Sequence, residues 1–221
     1  MPELVTTTSP TTERHHKPRL RADALRNRKL IIAAARELLV EQGPDIPLDE
    51  VARRAGVGNA TLYRHFPDRG ELIHRVTLDV MSRIADQAEA ALAEETDSFE
   101  ALRRFVHAAA DERIGALCPL LAEGIDRDHP EHAAARDRLD HAIEALMDRA
   151  RRDGRLREDI AVGDLMVAIT QLTRPLPGNA CGGFDQFIHR HLQLFLDGLH
   201  TPARSELPGS AATLEDLRQQ P

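Results

Sequence analysis

Asn59 and Tyr63 stand four residues apart, with Ala60 beside the first, inside the stretch LDEVARRAGVGNATLYRHFPDRGEL that runs from Leu48 to Leu72. An amide that both donates and accepts, a phenol, and a side chain small enough to let a backbone come close suit the reading of base edges in a DNA groove. Such a stripe needs one helix to carry it and another to brace that helix. The surrounding residues supply both. Val51, Ala52 and Ala55 recur at helical spacing, Gly56 tolerates the positive φ at which a helix stops, and Val57 plugs the corner. A second helix starts near Gly58 or Asn59, with Leu62 and Phe66 facing inward and Asn59, Ala60 and Tyr63 on a different stripe. The pattern predicts a helix-turn-helix, in which the N-terminal part of the second helix lies in the major groove.

The run Thr61-Leu62-Tyr63-Arg64-His65-Phe66-Pro67-Asp68-Arg69 resembles the recognition helix of the TetR family of bacterial transcriptional regulators, T-L-Y-x-H-F followed by a short turn and a basic residue. The resemblance spans roughly residues 25 to 75; beyond them only the helical character and the helix lengths agree. It implies that Asn59, Ala60 and Tyr63 face bases and that Thr61, Tyr63, His65 and Arg69 hold phosphates of a double-stranded operator. At Ala60 this chain departs from those family members that carry Gly or Pro there. The resemblance also implies a homodimer that pairs its last two ordered helices into a four-helix bundle, and a small-molecule effector enclosed in the helical body.

The positioning elements follow from periodicity and punctuation. Residues 1–22, rich in Thr, Pro and charge, are expected to form a disordered basic arm, with Arg14, Lys17, Arg19 and Arg21 before the first helix. That helix should run from about Asp23 to Gln42 and end at Gly43-Pro44. A three-helix DNA-binding domain thus occupies 23–68, and a larger helical domain for effector binding and dimerisation 69–200. The latter opens with a long helix carrying Ile73, Val76, Val80 and Ile84 to about Glu94. Asp97-x-x-Glu100 and Asp128-x-x-Glu131 have the form of capping boxes for the next two helices. Two more are expected at 162–174 and 184–199, and 201–221 should fray apart from a short helix near 211–217. The fold class is therefore all-α. The last long helix is apolar over more than one face, and Phe184, Ile188, Leu192, Phe195 and Leu199 are the expected dimer surface. Val80, Ile84 and Phe105, with Leu121, Leu146, Met166 and Thr170, are the expected walls of the effector pocket.

Charge agrees with this division. Between Arg14 and Arg75 there are thirteen Lys and Arg against eight Asp and Glu, whereas the whole chain carries −7, so only the head suits a polyanion. Two cysteines, Cys118 and Cys181, without C-x-x-C spacing, argue against a disulfide framework and for a reducing cytoplasm. Neither a signal peptide nor a membrane span is indicated. His129-x-x-His132 beside Asp126 and Asp128 could be drawn as a metal site, but His129 should precede the helix and act as a cap. A site there would need a third converging ligand, so no metal or cofactor is expected. No nucleophile with a base, paired carboxylates or phosphate-cradling glycine loop stands out, and an enzyme is not expected. The function indicated is a repressor released from a pseudo-palindromic operator by a small molecule. An effector-independent regulator or activator, a helical scaffold and an enzyme are the alternatives.

Overall fold

A computed structural model describes residues 16–117, 129–174, 187–203 and 205–218. Among these residues the helices are α1 (His16–Gln42), α2 (Leu48–Ala55), α3 (Asn59–His65), α4 (Arg69–Glu94) and α5 (Ser98–Asp111), then α6 (Pro130–Arg152), α7 (Val162–Leu172), α8 (Ile188–Leu199) and α9 (Leu214–Arg218). The β pairing described is one isolated antiparallel bridge, Leu156 with His200.

Helix α1 begins at His16 rather than Asp23, so the expected arm loses residues 16–22 to it; residues 1–15 lie outside the described region. The reason is local. Pro18 falls in the first turn, where a missing N–H costs nothing, and no helix breaker follows until Gly43. There the chain turns at φ +86°, and the Gly43 N–H donates to the Leu39 carbonyl at 3.0 Å. Ile31, Ala35, Leu38 and Leu39 form the buried face of α1, against α2 and α4.

Helix α4 is capped by Asp68, whose carboxylate accepts the Glu71 N–H at 2.8 Å. Its buried stripe, Leu72, Val76, Val80, Ile84, Ala88 and Ala91, starts in the N-terminal head and continues through the body, packing most extensively on α6 and α5. Asp97 caps α5 through the Phe99 and Glu100 N–H groups, but the box closes on one side only, because Glu100 pairs with Arg103. The α6 cap is His129 rather than Asp128: its Nδ1 accepts the Glu131 N–H at 3.2 Å, and Pro130 occupies the first turn.

Two expectations need correction. The segment after residue 200 does not fray where it is described. Arg157, nearly buried, donates to the Gly198 and Ser205 carbonyls at 3.3 and 2.9 Å, fastening the end of α8 and the following chain. Farther on, Ala212 crosses Gly163 of α7 so closely that a Cβ there would lie 2.3 Å from the Ala212 carbonyl oxygen. The second correction concerns α8. Leu192, Leu196 and Leu199 form its inward stripe, against α5 and α7 of the same chain, so Leu192 and Leu199 are covered by the chain itself rather than presented at its surface. Phe187 and Leu194 project outward instead, Ile188 and Phe195 are half-buried at the margin, and Phe184 lies outside the described residues.

Leu192→Ala is accordingly expected to cost about 2–5 kcal/mol of stability, as a core truncation does. Gly163→Ala should cost about 1–3 kcal/mol and expose the 205–213 segment to protease, because its methyl must displace backbone. Denaturant unfolding and limited proteolysis measure both; a wild-type digestion pattern for Gly163→Ala would refute the docking of the tail.

Candidate nucleic-acid interface

The turn between α2 and α3 consists of Gly56, Val57 and Gly58. Gly56 adopts φ +68° and ψ 30°, the left-handed conformation that ends a helix, and the N–H groups of Gly56 and Val57 return to the Arg53 and Ala52 carbonyls. This closure aims α3 across α2. On its inner side Leu62 and Phe66 are wholly buried, four residues apart, and the Arg28 guanidinium of α1 lies 4.8 Å from the centre of the Phe66 ring.

The opposite side of α3 is open. Asn59, Ala60 and Arg64 are exposed, and Tyr63, the single tyrosine of the chain, is 47% exposed. Asn59 Nδ2 donates to Asp49 Oδ1 at 3.0 Å, which ties the head of α3 to α2 and limits the rotation of its amide. Thr61 is half-buried, and its hydroxyl accepts a hydrogen bond from Arg64 at 3.1 Å. The structure thus brings Asn59, Ala60, Thr61 and Tyr63 together with Arg64 on one short surface.

His65 and Arg69 stand apart from this group. His65 is half-buried, and desolvation, with Arg28 and Arg64 nearby, holds its imidazole below the usual histidine range. It can offer a phosphate a neutral N–H rather than a charge. Arg69 is turned toward the protein: its guanidinium donates to the Ile46 carbonyl at 2.8 Å, bracing the loop before α2. Among other cations, Arg54 is clamped by Glu37 and Glu41 of α1, and the bond to Glu41 raises its pKa further. Arg53, by contrast, has a side chain 74% exposed, with a 3.2 Å contact to Glu50. Lys29 is also exposed. Arg53 and Arg64 are the residues that sequence reasoning missed. Arg64 was within reach, since it follows Tyr63 on the same outward arc; the different fates of Arg53 and Arg54 depend on α1.

The expected pocket walls lie in the body. Val80, Ile84, Phe105 and Leu146 are enclosed in its core, Met166 and Thr170 are half-buried on α7, and Leu121 falls outside the described residues.

The depressed pKa of His65 has a sign that can be checked. Unfolded, the ring takes up a proton near pH 6.5; folded, it does so only at lower pH. Between these values the unfolded state binds more protons, so acidification through this window lowers stability, and no stabilisation from this group returns below it. His65→Gln should flatten that part of the stability-versus-pH curve, measured by thermal unfolding between pH 7 and 5; an unchanged curve would show that the ring titrates normally.

Comparison with known proteins agrees with this geometry. Residues 31–76 match the family described as bacterial regulatory proteins, tetR family, and residues 78–201 match the SbtR-like transcriptional regulator C-terminal domain. HTH-type transcriptional regulators of Staphylococcus aureus are 40–41% identical over 54–58 residues, and the match spans only 29–31% of their length. Among solved structures, a TetR regulator of Streptomyces coelicolor is 31% identical with a TM-score of 0.62, covering 80% of this chain and 99% of that one. One from Mycobacterium vanbaalenii is 30% identical with a TM-score of 0.60, covering 82% and 99%. The TetR-like regulator LfrR of Mycobacterium smegmatis, in complex with proflavine, is 25% identical with a TM-score of 0.56, covering 83% and 99%. With both the head and most of the body matched, and the helix-turn-helix formed as described, the chain belongs to the TetR family of bacterial transcriptional regulators.

Proposed function

We propose that the protein is a DNA-binding transcriptional regulator that inserts α3 into the major groove of a double-stranded operator. Asn59, Ala60 and Tyr63 meet base edges, and Thr61, Arg64 and Arg53 meet phosphates. The observation that carries this reading is the contrast between the wholly buried Leu62, with Phe66 just past the end of α3, and the exposed polar side of the same helix. His65 is a neutral donor at the edge of that surface, and Arg69 braces it from behind. No described helix is long and apolar enough to cross a membrane, and the proposed regulator acts where its DNA lies, in the cytoplasm.

Two copies are required for a useful operator affinity, since one recognition helix covers few base pairs. The surface proposed for pairing is the outer face of α7 and α8. There Val167, Leu172, Phe187 and Leu194 are exposed at 41%, 37%, 44% and 60%. Leu194 and Phe195 also border a cavity of about 640 Å³ reached by Ile160 and Leu207, which extends the apolar area beyond the helices. A two-fold axis through this face yields two heads and a pseudo-palindromic site.

For the body, the reading is an effector that biases the spacing of the heads and releases DNA, so that the protein represses. That LfrR, similar to this chain, is known in complex with proflavine supports a small-molecule effector here. Met166 and Thr170, half-buried on α7, which packs on α5 and α6, are the proposed side of entry toward Phe105 and Leu146, with Val80 and Ile84 of α4 as further proposed walls. Loss of operator retention on adding a stabilising compound distinguishes this from effector-independent control.

Tyr63 makes the DNA claim directly measurable, because the chain has no tryptophan and no other tyrosine. A duplex selected from genomic DNA should change the tyrosine emission, after inner-filter correction, in step with gel retardation. Arg64→Ala should reduce the slope of log affinity against log salt by about one. Retardation without any change in Tyr63 emission would remove that residue from the interface.

Leu194→Glu should give monomers with wild-type helicity in sedimentation and circular dichroism, along with weak operator binding. An intact dimer would exclude this face.

A further inference from the structure

His74, on α4 just past the DNA-binding head, is brought against the start of α6 by the packing of these two helices, far from it in sequence. It meets His129 and Glu131 there. One potential ligand atom from each of the three lies within 4.8 Å of the others, and His74 Nε2 is already 3.2 Å from Glu131 Oε2. The imidazoles are packed edge to face: His74 and His129 have ring centres 4.5 Å apart. His132, buried one turn further along α6, meets His74 at 4.4 Å and so backs it. His74 and His129 are half-buried and Glu131 is exposed, which leaves the triad open to solvent on one side.

We propose that His74, His129 and Glu131 bind one transition-metal dication of the zinc class, clamping the start of α6 onto α4 beside the head. Two imidazoles and one carboxylate suit Zn²⁺, Co²⁺ or Ni²⁺, whereas Mg²⁺ and Ca²⁺ prefer oxygen ligands throughout. The open side takes water as a fourth ligand. Tetrahedral zinc at bonds of about 2.0–2.1 Å holds its ligand atoms about 3.3 Å apart, so the triad closes by roughly 1.5 Å at its widest. The exposed Glu131 side chain can supply most of that movement.

The surroundings set the strength. Arg75 Nη1 lies 2.5 Å from Glu131 Oε2, and the positive end of α6 points at the same place, so both oppose a cation. His129 also uses Nδ1 to cap α6, and ligation through that atom exchanges the cap for a metal bond. The site is therefore one of modest affinity, filled when metal is abundant, rather than a permanent structural centre.

The test is calorimetric titration of the full-length protein, freed of any histidine tag, with ZnCl₂ in a non-coordinating buffer and with MgCl₂ as control. One Zn²⁺ per chain is expected, with at least tenfold weaker binding of Mg²⁺ and a raised melting temperature in zinc alone. His74→Ala and Glu131→Gln should each weaken zinc binding at least tenfold, while His141→Ala, at an exposed histidine elsewhere on α6, leaves it unchanged. Glu131 is exposed, so the Glu131→Gln result stands even if His74→Ala perturbs folding. Substoichiometric zinc, or the same affinity in Glu131→Gln and His141→Ala, would overturn the site and leave the cluster as a hydrogen-bonded cap.

Discussion

The apolar stripe of α4 is the constraint on which the rest of the molecule depends. Leu72 and Val76 at its start help to enclose the head, and Val80 and Ile84 pass into the body. Ala85, Ala88 and Ala91 then let neighbouring helices approach its far end closely. Each large side chain fully buried is worth about 1.5–3 kcal/mol, whereas an exposed ion pair contributes about 0–1 kcal/mol. The many arginine–carboxylate pairs on the surface therefore select among orientations that this stripe has already made stable. One uninterrupted helix makes the direction of the head a property of the body.

Where charge does matter is at the seam between them. Glu112, at the end of α5 and only 12% exposed, receives Arg36 from α1 at 3.0 Å and Arg83 from α4 at 2.5 Å. Asp79 joins the same group at 3.7 Å from Arg36, and burial pushes its carboxyl above the ordinary range despite the two arginines. Such a network holds α1, α4 and α5 in one register, because losing any partner leaves a poorly solvated charge behind. A change in the angle between head and body must break or rebuild it, so the network resists such a change.

What could be read in the sequence was what local chemistry determines. Gly56, the pair Leu62 and Phe66, and the cap Asp97 each act within a few residues, and the head and helix order followed from them. The α8 surface was not legible in this way. Leu192, Leu196 and Leu199 obey helical spacing, and Phe187 and Leu194 supply a second apolar surface on the same helix, so periodicity alone cannot say which meets the protein's own core. The His74 cluster depends on the packing of α4 against α6, across a separation no sequence window spans. The tail looked like frayed chain because its composition is polar, yet its anchors are backbone carbonyls taken up by Arg157 and a close crossing at Gly163.

The proposed recognition surface is pre-ordered before any DNA arrives. Asn59 is held by Asp49, Thr61 by Arg64, and the loop beneath them by Arg69. Side chains already confined to one geometry lose less entropy on binding, so fewer contacts suffice for a given affinity. The same bonds limit what the surface can recognise. In the proposed complex Asn59 would meet DNA with its amide partly committed to Asp49, and Arg64 would share its guanidinium between Thr61 and a phosphate. With the His65 imidazole held below its usual range and Arg54 spent on α1, the long-range attraction of the proposed head falls to exposed cations that include Arg21, Arg26, Lys29, Arg53 and Arg64. Attraction and base reading are thus assigned to different side chains, so one can be altered with limited effect on the other.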